Sequence, residues 1–123
     1  MNPLQRLWDE HRQAVWLDFI ERGMLESGGL ARLADDGVRG VTSNPSIFEK
    51  AIAGGGAYRA AVAALLAGEP ELPTQDLYEA LAIDDIRSAA DVLRPLWEAS
   101  AAGDGFVSLE VSPHLADDTA GTV

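Results

Sequence analysis

The run AVWLDFI (14–20) is apolar at every position but one. Its length and its β-branched and aromatic content predict a strand over about 15–20, covered on both faces as in a parallel sheet. Before it, Leu4, Leu7 and Trp8 recur at helical spacing and predict a short amphipathic helix. After it, Leu30, Leu33 and Ala34 form the apolar stripe of a helix that starts near Ser27 or Gly28 and stops at Gly37. VRGVT (38–42) is a short second strand. Asn44 stands where an N-cap would be and Pro45 at a first helical position, so PSIFEKAIA opens the next helix.

The triplet GGG (54–56) breaks that helix, AYRAAVAALLAG predicts an alanine-rich one, and EPELP is a rigid linker. Thr74 is placed to cap TQDLYEALAIDDIRSAADVLRPLWEAS, which reads as two helices. The joint falls near Asp84–Asp85, and Pro95 bends or breaks the second helix. FVSLEV (106–111) alternates strictly and predicts a third strand. SPHLADDTAGTV then opens another helix. Strands alternating with helices indicate an α/β fold with parallel strands. The chain reads as one domain over 1–123, with a helical insertion over about 45–102.

Composition narrows the function. Asp and Glu number 20 against 9 Lys and Arg, a formal charge of −11. That balance argues against a nucleic-acid or anionic-membrane surface, since both are polyanions. Cysteine is absent, which excludes a disulfide framework and a thiolate metal site. The amphipathic, acid-containing N-terminus resembles neither a signal nor a transit peptide, and no apolar run is long enough to span a bilayer. The cytoplasm is the expected location. Lys50 is the one lysine.

The polar residues of the strands fall at or just beyond their C-terminal ends: Asp18 on the first, Thr42, Ser43 and Asn44 on the second, Glu110 and Ser112 on the third. In α/β folds that edge of a parallel sheet is where sites are built. Alternation puts Trp16, Asp18 and Ile20 on one face of the first strand. It puts Phe106, Ser108, Glu110 and Ser112 on one face of the third. A carboxylate inside a buried strand is costly unless paired or hydrogen-bonded. Two of them near one edge therefore predict a polar pocket at the mouth of a barrel. Plainer roles exist for each residue alone. Asp18 and Glu110 suit structural acceptors, Asn44 a helix cap, Thr42 and Ser43 turn positions. Their convergence on one edge favours a site.

Other polar features carry less. His11 lies on a helix with no partner in view, and His114 reads as a loop residue. The GGG spacing does not match a phosphate-binding loop. Asp84–Asp85 and Asp117–Asp118 read as helix-start acids in preference to metal ligands.

GVTSNPSIF resembles the first signature of the transaldolase family, a Thr-(Ser/Thr)-Asn-Pro core followed by apolar residues. VWLDFI resembles that family's first barrel strand with its acid, and FVSLEVSPHLADDT its third strand with the Glu and the following Ser-Pro. The Thr-Ser-Asn-Pro core is fairly specific; the other two motifs gain weight from their order and spacing. With its WLD first strand and SLEVSP third strand, the chain resembles the longer bacterial transaldolases.

The resemblance implies a (β/α)8 barrel, of which this chain holds three of eight parallel strands as a partial N-terminal portion. It also implies transfer of a dihydroxyacetone unit from a ketose phosphate, sedoheptulose 7-phosphate or fructose 6-phosphate, to an aldose phosphate. The transfer runs through a lysine Schiff base in the pentose phosphate pathway. Carried over by position, Asp18 matches the acid/base near the substrate's C4 hydroxyl. Glu110 matches the carboxylate that acts through a water in making and breaking the imine. Thr42 and Asn44 match substrate-binding residues. Sugar phosphate is then the partner, with no nucleic acid, membrane, metal or organic cofactor.

The family's Schiff-base lysine lies on the fourth strand, beyond this chain, and Lys50 matches no catalytic lysine. The expectation is therefore an N-terminal segment, inactive alone, whose barrel is completed by missing C-terminal sequence. A related fructose 6-phosphate aldolase is a second reading, weakened by the long helical insertion. A non-catalytic binding remnant is a third, and fusion to a second enzyme domain such as a sugar-phosphate isomerase is a further possibility.

Overall fold

In the computed structural model, which describes residues 1–123, β1 (Val15–Leu17), β2 (Val38–Thr42) and β3 (Phe106–Ser108) form one sheet in that order, and both pairings are parallel. Around it run α1 (Pro3–His11), α2 (Arg22–Glu26), α3 (Gly29–Asp36), α4 (Pro45–Gly54), α5 (Arg59–Gly68), α6 (Thr74–Ala99) and α7 (Thr119–Thr122). Single 3-10 turns occupy Gly56–Tyr58 and Pro113–Leu115.

The register sorts the two faces of the sheet. Leu17, Val41 and Val107 stand side by side. Val41 is fully buried in a core with Ile20, Leu30, Phe48, Tyr58 and Leu93, and its two neighbours pack against that core. One residue earlier, Trp16, Gly40 and Phe106 form the opposite row. Trp16 is 40% and Phe106 45% exposed. Helices thus cover one face, and the other stands open, where a strand run this apolar predicts two covered faces. Gly40 is required by its neighbour: a Cβ there would run into the indole of Trp16.

Several elements differ from the sequence pattern. Pairing of β1 stops at Leu17 and of β3 at Ser108, short of the expected Ile20 and Val111. The helix expected over 27–37 is preceded by a separate five-residue helix, α2, too short to show a period. The joint near Asp84–Asp85 is absent, and α6 runs unbroken from Thr74 through Pro95 to Ala99. Its cap position is Pro73, not Thr74. At the glycine triplet, α4 and the helical stretch Gly56–Gly68 turn through 83°. No single helix is long and apolar enough to cross a membrane.

The N-terminal ends of the strands are held by charge and aromatic contacts. Arg39 of β2 donates to Asp104, just before β3, at 2.8 Å, and its guanidinium lies 3.8 Å from the ring centre of Trp8 on α1. The side chains of Asn2 and Gln5 donate to the carbonyls of Asp36 and Asp35 at the end of α3. In a barrel this end of the sheet serves stability, and the opposite end serves chemistry.

A buried polar network joins the helices. Arg22 on α2 donates from Nε to Asp85 on α6 at 2.7 Å. The Tyr58 hydroxyl donates to the other Asp85 oxygen at 2.6 Å and accepts from the Arg22 backbone N–H at 2.9 Å. Asp85 and Tyr58 are each 1% exposed. Asp85 is therefore a mid-helix buried anion, not the helix-start acid its sequence context suggests. Burial first, then the bond to the Asp85 carboxylate, push the Tyr58 phenol above its ordinary pKa. The folded state then holds this proton more tightly than the unfolded chain does. Its contribution is complete below the ordinary phenol value of about 10 and is lost as pH climbs past it. Urea midpoints measured from about pH 8 to 11 should fall less steeply for Tyr58→Phe than for the wild type; parallel curves would refute this.

Candidate functional site

The C-terminal edge of the sheet is built by the ends of β1 and β2. Each strand stops where its polar residues begin. On β2, Thr42 is the last paired residue and lies on the open face, in the row above Gly40. Its Oγ1 donates to Asp18 Oδ1 at 2.7 Å. That bond satisfies one oxygen of an exposed carboxylate and fixes its direction. The other oxygen accepts no hydrogen bond from the chain and is open to a ligand hydroxyl.

Asn44 lies two residues past β2 and caps α4. Its side-chain oxygen accepts from the backbone N–H groups of Ser46, at 3.0 Å, and Ile47, at 3.5 Å. Pro45 fills the first helical position, where a missing N–H costs nothing. The cap occupies the amide oxygen and leaves the amide N–H2 unpartnered. Capping and ligand binding are therefore compatible in Asn44, since the first uses the oxygen and the second the donors.

Glu110 does not join Asp18 on the open face. Alternation predicts it there only if pairing continues past Ser108, and pairing stops at Ser108. Glu110 instead lines a cavity of about 700 Å³ between α4, α6 and the chain after β3, together with Glu49, Tyr78 and Glu79. Burial first, then the charges of Glu49, Glu110 and Glu79, push the Tyr78 phenol up.

Ser43 is the residue whose importance the sequence understates. It is 5% exposed, and its hydroxyl donates to the carbonyl of Ser108 at 2.8 Å and accepts from the N–H of Glu110 at 3.2 Å. Its own N–H reaches the same Ser108 carbonyl. The only advance signal is its place between two site candidates.

The remaining candidates are peripheral. His11 is exposed and lies 3.9 Å from Glu10 of its own helix. His114 is exposed, and only its backbone N–H is engaged, with Ser112. Lys50 is exposed on α4, past the strand edge. Asp118 caps α7 through the N–H of Gly121. No group of three or more His, Asp or Glu side chains is close enough to hold a metal ion.

A family model described as Transaldolase/Fructose-6-phosphate aldolase matches residues 15–123. A Thiobacillus denitrificans protein named Transaldolase is 53% identical over 112 residues, which cover 90% of this chain and 31% of that protein. Transaldolase 2 of a Nostoc species is 47% identical over 116 residues, covering 93% and 30%. A Neisseria gonorrhoeae Transaldolase is 48% identical over 111 residues, covering 90% and 31%. The chain spans about a third of the length of these curated relatives.

Proposed function

Since the chain belongs to the transaldolase/fructose-6-phosphate aldolase family, its three parallel strands forming part of a (β/α)8 barrel domain, we propose that it supplies one side of a transaldolase active site. The reaction moves a dihydroxyacetone unit from sedoheptulose 7-phosphate or fructose 6-phosphate to an aldose phosphate in the pentose phosphate pathway. The observation supporting this reading is the Thr42–Asp18 hydrogen bond at the C-terminal edge of the sheet, inside the matched residues.

Cleaving a carbon–carbon bond beside a ketone needs an electron sink, which a lysine imine provides. It also needs a base for the hydroxyl on the neighbouring carbon. Asp18 is that base. Its unpartnered oxygen takes the C4 hydroxyl proton as the C3–C4 bond breaks, and the bond's electron pair passes into the imine. In the second half Asp18 returns the proton to the oxygen of the acceptor aldehyde. Thr42 keeps the carboxylate aimed, and the free amide N–H2 of Asn44 binds a hydroxyl of the dihydroxyacetone unit. Glu110 acts through a water in forming and hydrolysing the imine. That role requires its carboxylate to turn from the α4–α6 cavity toward the strand edge.

The imine lysine is not Lys50, which sits on a helix away from the edge. Residues 1–123 alone are thus inactive, and the rest of the barrel completes the site. Location in the cytoplasm accords with this sugar-phosphate chemistry.

Two measurements test the reading. The protein as its source makes it should form sedoheptulose 7-phosphate from fructose 6-phosphate and a four-carbon aldose phosphate. Release of free dihydroxyacetone without transfer would instead favour a fructose 6-phosphate aldolase. Residues 1–123 alone, treated with fructose 6-phosphate and borohydride, should give no trapped adduct. An adduct on Lys50 overturns the assignment of the nucleophile.

A further inference from the structure

We infer that Ser43 is a positioning residue for the Glu110 segment: its buried hydroxyl replaces a rung of the β2–β3 ladder and sets where the chain carrying Glu110 leaves the sheet. The inference rests on the role proposed above for Glu110.

The argument starts from the parallel ladder. In such a pair, a residue's N–H and C=O bond to the residues before and after its partner on the next strand. The N–H of Ser43 donates to the carbonyl of Ser108. The next rung would then run from the N–H of Glu110 to the carbonyl of Ser43. That N–H goes instead to Ser43 Oγ at 3.2 Å. The backbone of β2 has already turned toward α4, where Asn44 caps the helix, and the side chain of Ser43 fills the place of its carbonyl. The same hydroxyl donates its one hydrogen to Ser108 at 2.8 Å. The hydroxyl therefore donates to the last residue of β3 and accepts from the chain just past it, and its direction is fixed.

The consequence concerns Glu110. Its exposed side chain is free to turn, but its backbone is tied to the end of β2 by this one side-chain bond. Asp18 is tied to the same strand end by Thr42, one residue earlier. Adjacent hydroxyls at the end of β2 and just past it thus hold the two carboxylates of the proposed mechanism, Thr42 through the Asp18 side chain and Ser43 through the Glu110 main chain. Alanine at position 43 keeps the ladder bond from its own N–H and loses only the hydroxyl, so the Glu110 N–H turns to water.

The test uses the protein as its source makes it, with dihydroxyacetone transfer from fructose 6-phosphate as the activity. Ser43→Ala should lower kcat about tenfold with KM within about twofold, since a buried hydrogen bond and a small displacement of a reacting group are lost together. Ser43→Thr, which keeps the hydroxyl, should restore kcat. Exchange of the Glu110 amide hydrogen should be faster in Ser43→Ala than in wild type. On a Glu110→Gln background, Ser43→Ala should cost nothing further. Wild-type kcat in Ser43→Ala, or an equal loss on the Glu110→Gln background, overturns the inference. If Glu110→Gln alone keeps full kcat, the proposed role of Glu110 falls and positioning for catalysis falls with it. The structural rung is then judged by the amide alone, and unchanged exchange in Ser43→Ala removes that too.

Discussion

Replacing Asp18 by Asn should lower kcat by roughly a hundred- to ten-thousandfold, the range a positioned acid/base supplies. Asn keeps the size of Asp and keeps an oxygen for the Thr42 hydroxyl, which donates to Oδ1 at 2.7 Å. What it cannot do is take the C4 hydroxyl proton and give it back, the role proposed for Asp18. The loss should therefore fall on kcat, with KM little changed, because ground-state contacts to the substrate survive. Steady-state kinetics of the protein as its source makes it, with fructose 6-phosphate as donor, read the effect. Thr42→Val is the companion variant. It leaves the carboxylate chemically intact but unaimed, so its loss should be the smaller of the two. A Asp18→Asn variant within threefold of wild type would remove Asp18 from the mechanism.

Asp85→Ala should cost about 3–5 kcal/mol of stability, the usual result of stripping one partner from a buried ion pair. The Arg22 side chain is 14% and the Asp85 side chain 2% exposed. Without Asp85, a guanidinium remains largely out of water with no anion, and the Tyr58 hydroxyl loses the acceptor for its proton. A domain's whole stability is about 5–15 kcal/mol, so this variant approaches the threshold of folding. Urea unfolding should show it as a large drop in midpoint. Asp84→Ala is the control. Asp84 is exposed one position away, and its loss should stay within about 0.5 kcal/mol. The double variant Arg22→Met/Asp85→Leu separates pairing from packing. Replacing both charges with apolar side chains should recover the part of the loss due to the stranded guanidinium, though not the part due to the Tyr58 hydroxyl, which still lacks its acceptor; a double variant no better than Asp85→Ala would show that the stranded charge contributes nothing.

The parts of this fold that can be read from sequence are those with local causes. β2 is legible because Gly37, in a left-handed conformation at φ 117°, ends α3 immediately before it. Asn44 and Pro45 then start α4 immediately after. The nearness of Asp18 and Thr42 is legible in outline, because both fall at the C-terminal ends of parallel strands; the hydrogen bond between them is not. Long-range causes are not legible. Nothing around Asp85 names Arg22, 63 residues away, as its partner. The acid pair at 84–85 looks like a helix start, when one member is exposed and the other is sealed in the core. Glu110 is misplaced for a related reason. Strict alternation from Phe106 to Val111 is a property of the side chains, and it fixes facing only where a neighbouring strand continues to pair. The ladder ends three residues into that run, because β2 has turned into a helix.

The two carboxylates of the proposed site are fastened by bonds that span very different lengths of chain. Thr42 reaches Asp18 across 24 residues, and Ser43 reaches Glu110 across 67. Loop-closure entropy grows with the logarithm of loop length, so the longer closure costs about 1 kcal/mol more. It is also the closure held by a backbone bond at 3.2 Å in place of a charge-assisted one at 2.7 Å. Asp18 is therefore the more firmly held of the two carboxylates, and the Glu110 segment is the one with conformational freedom to spare. A carboxylate that works through a mobile water can use that freedom; one that must meet a single hydroxyl proton cannot.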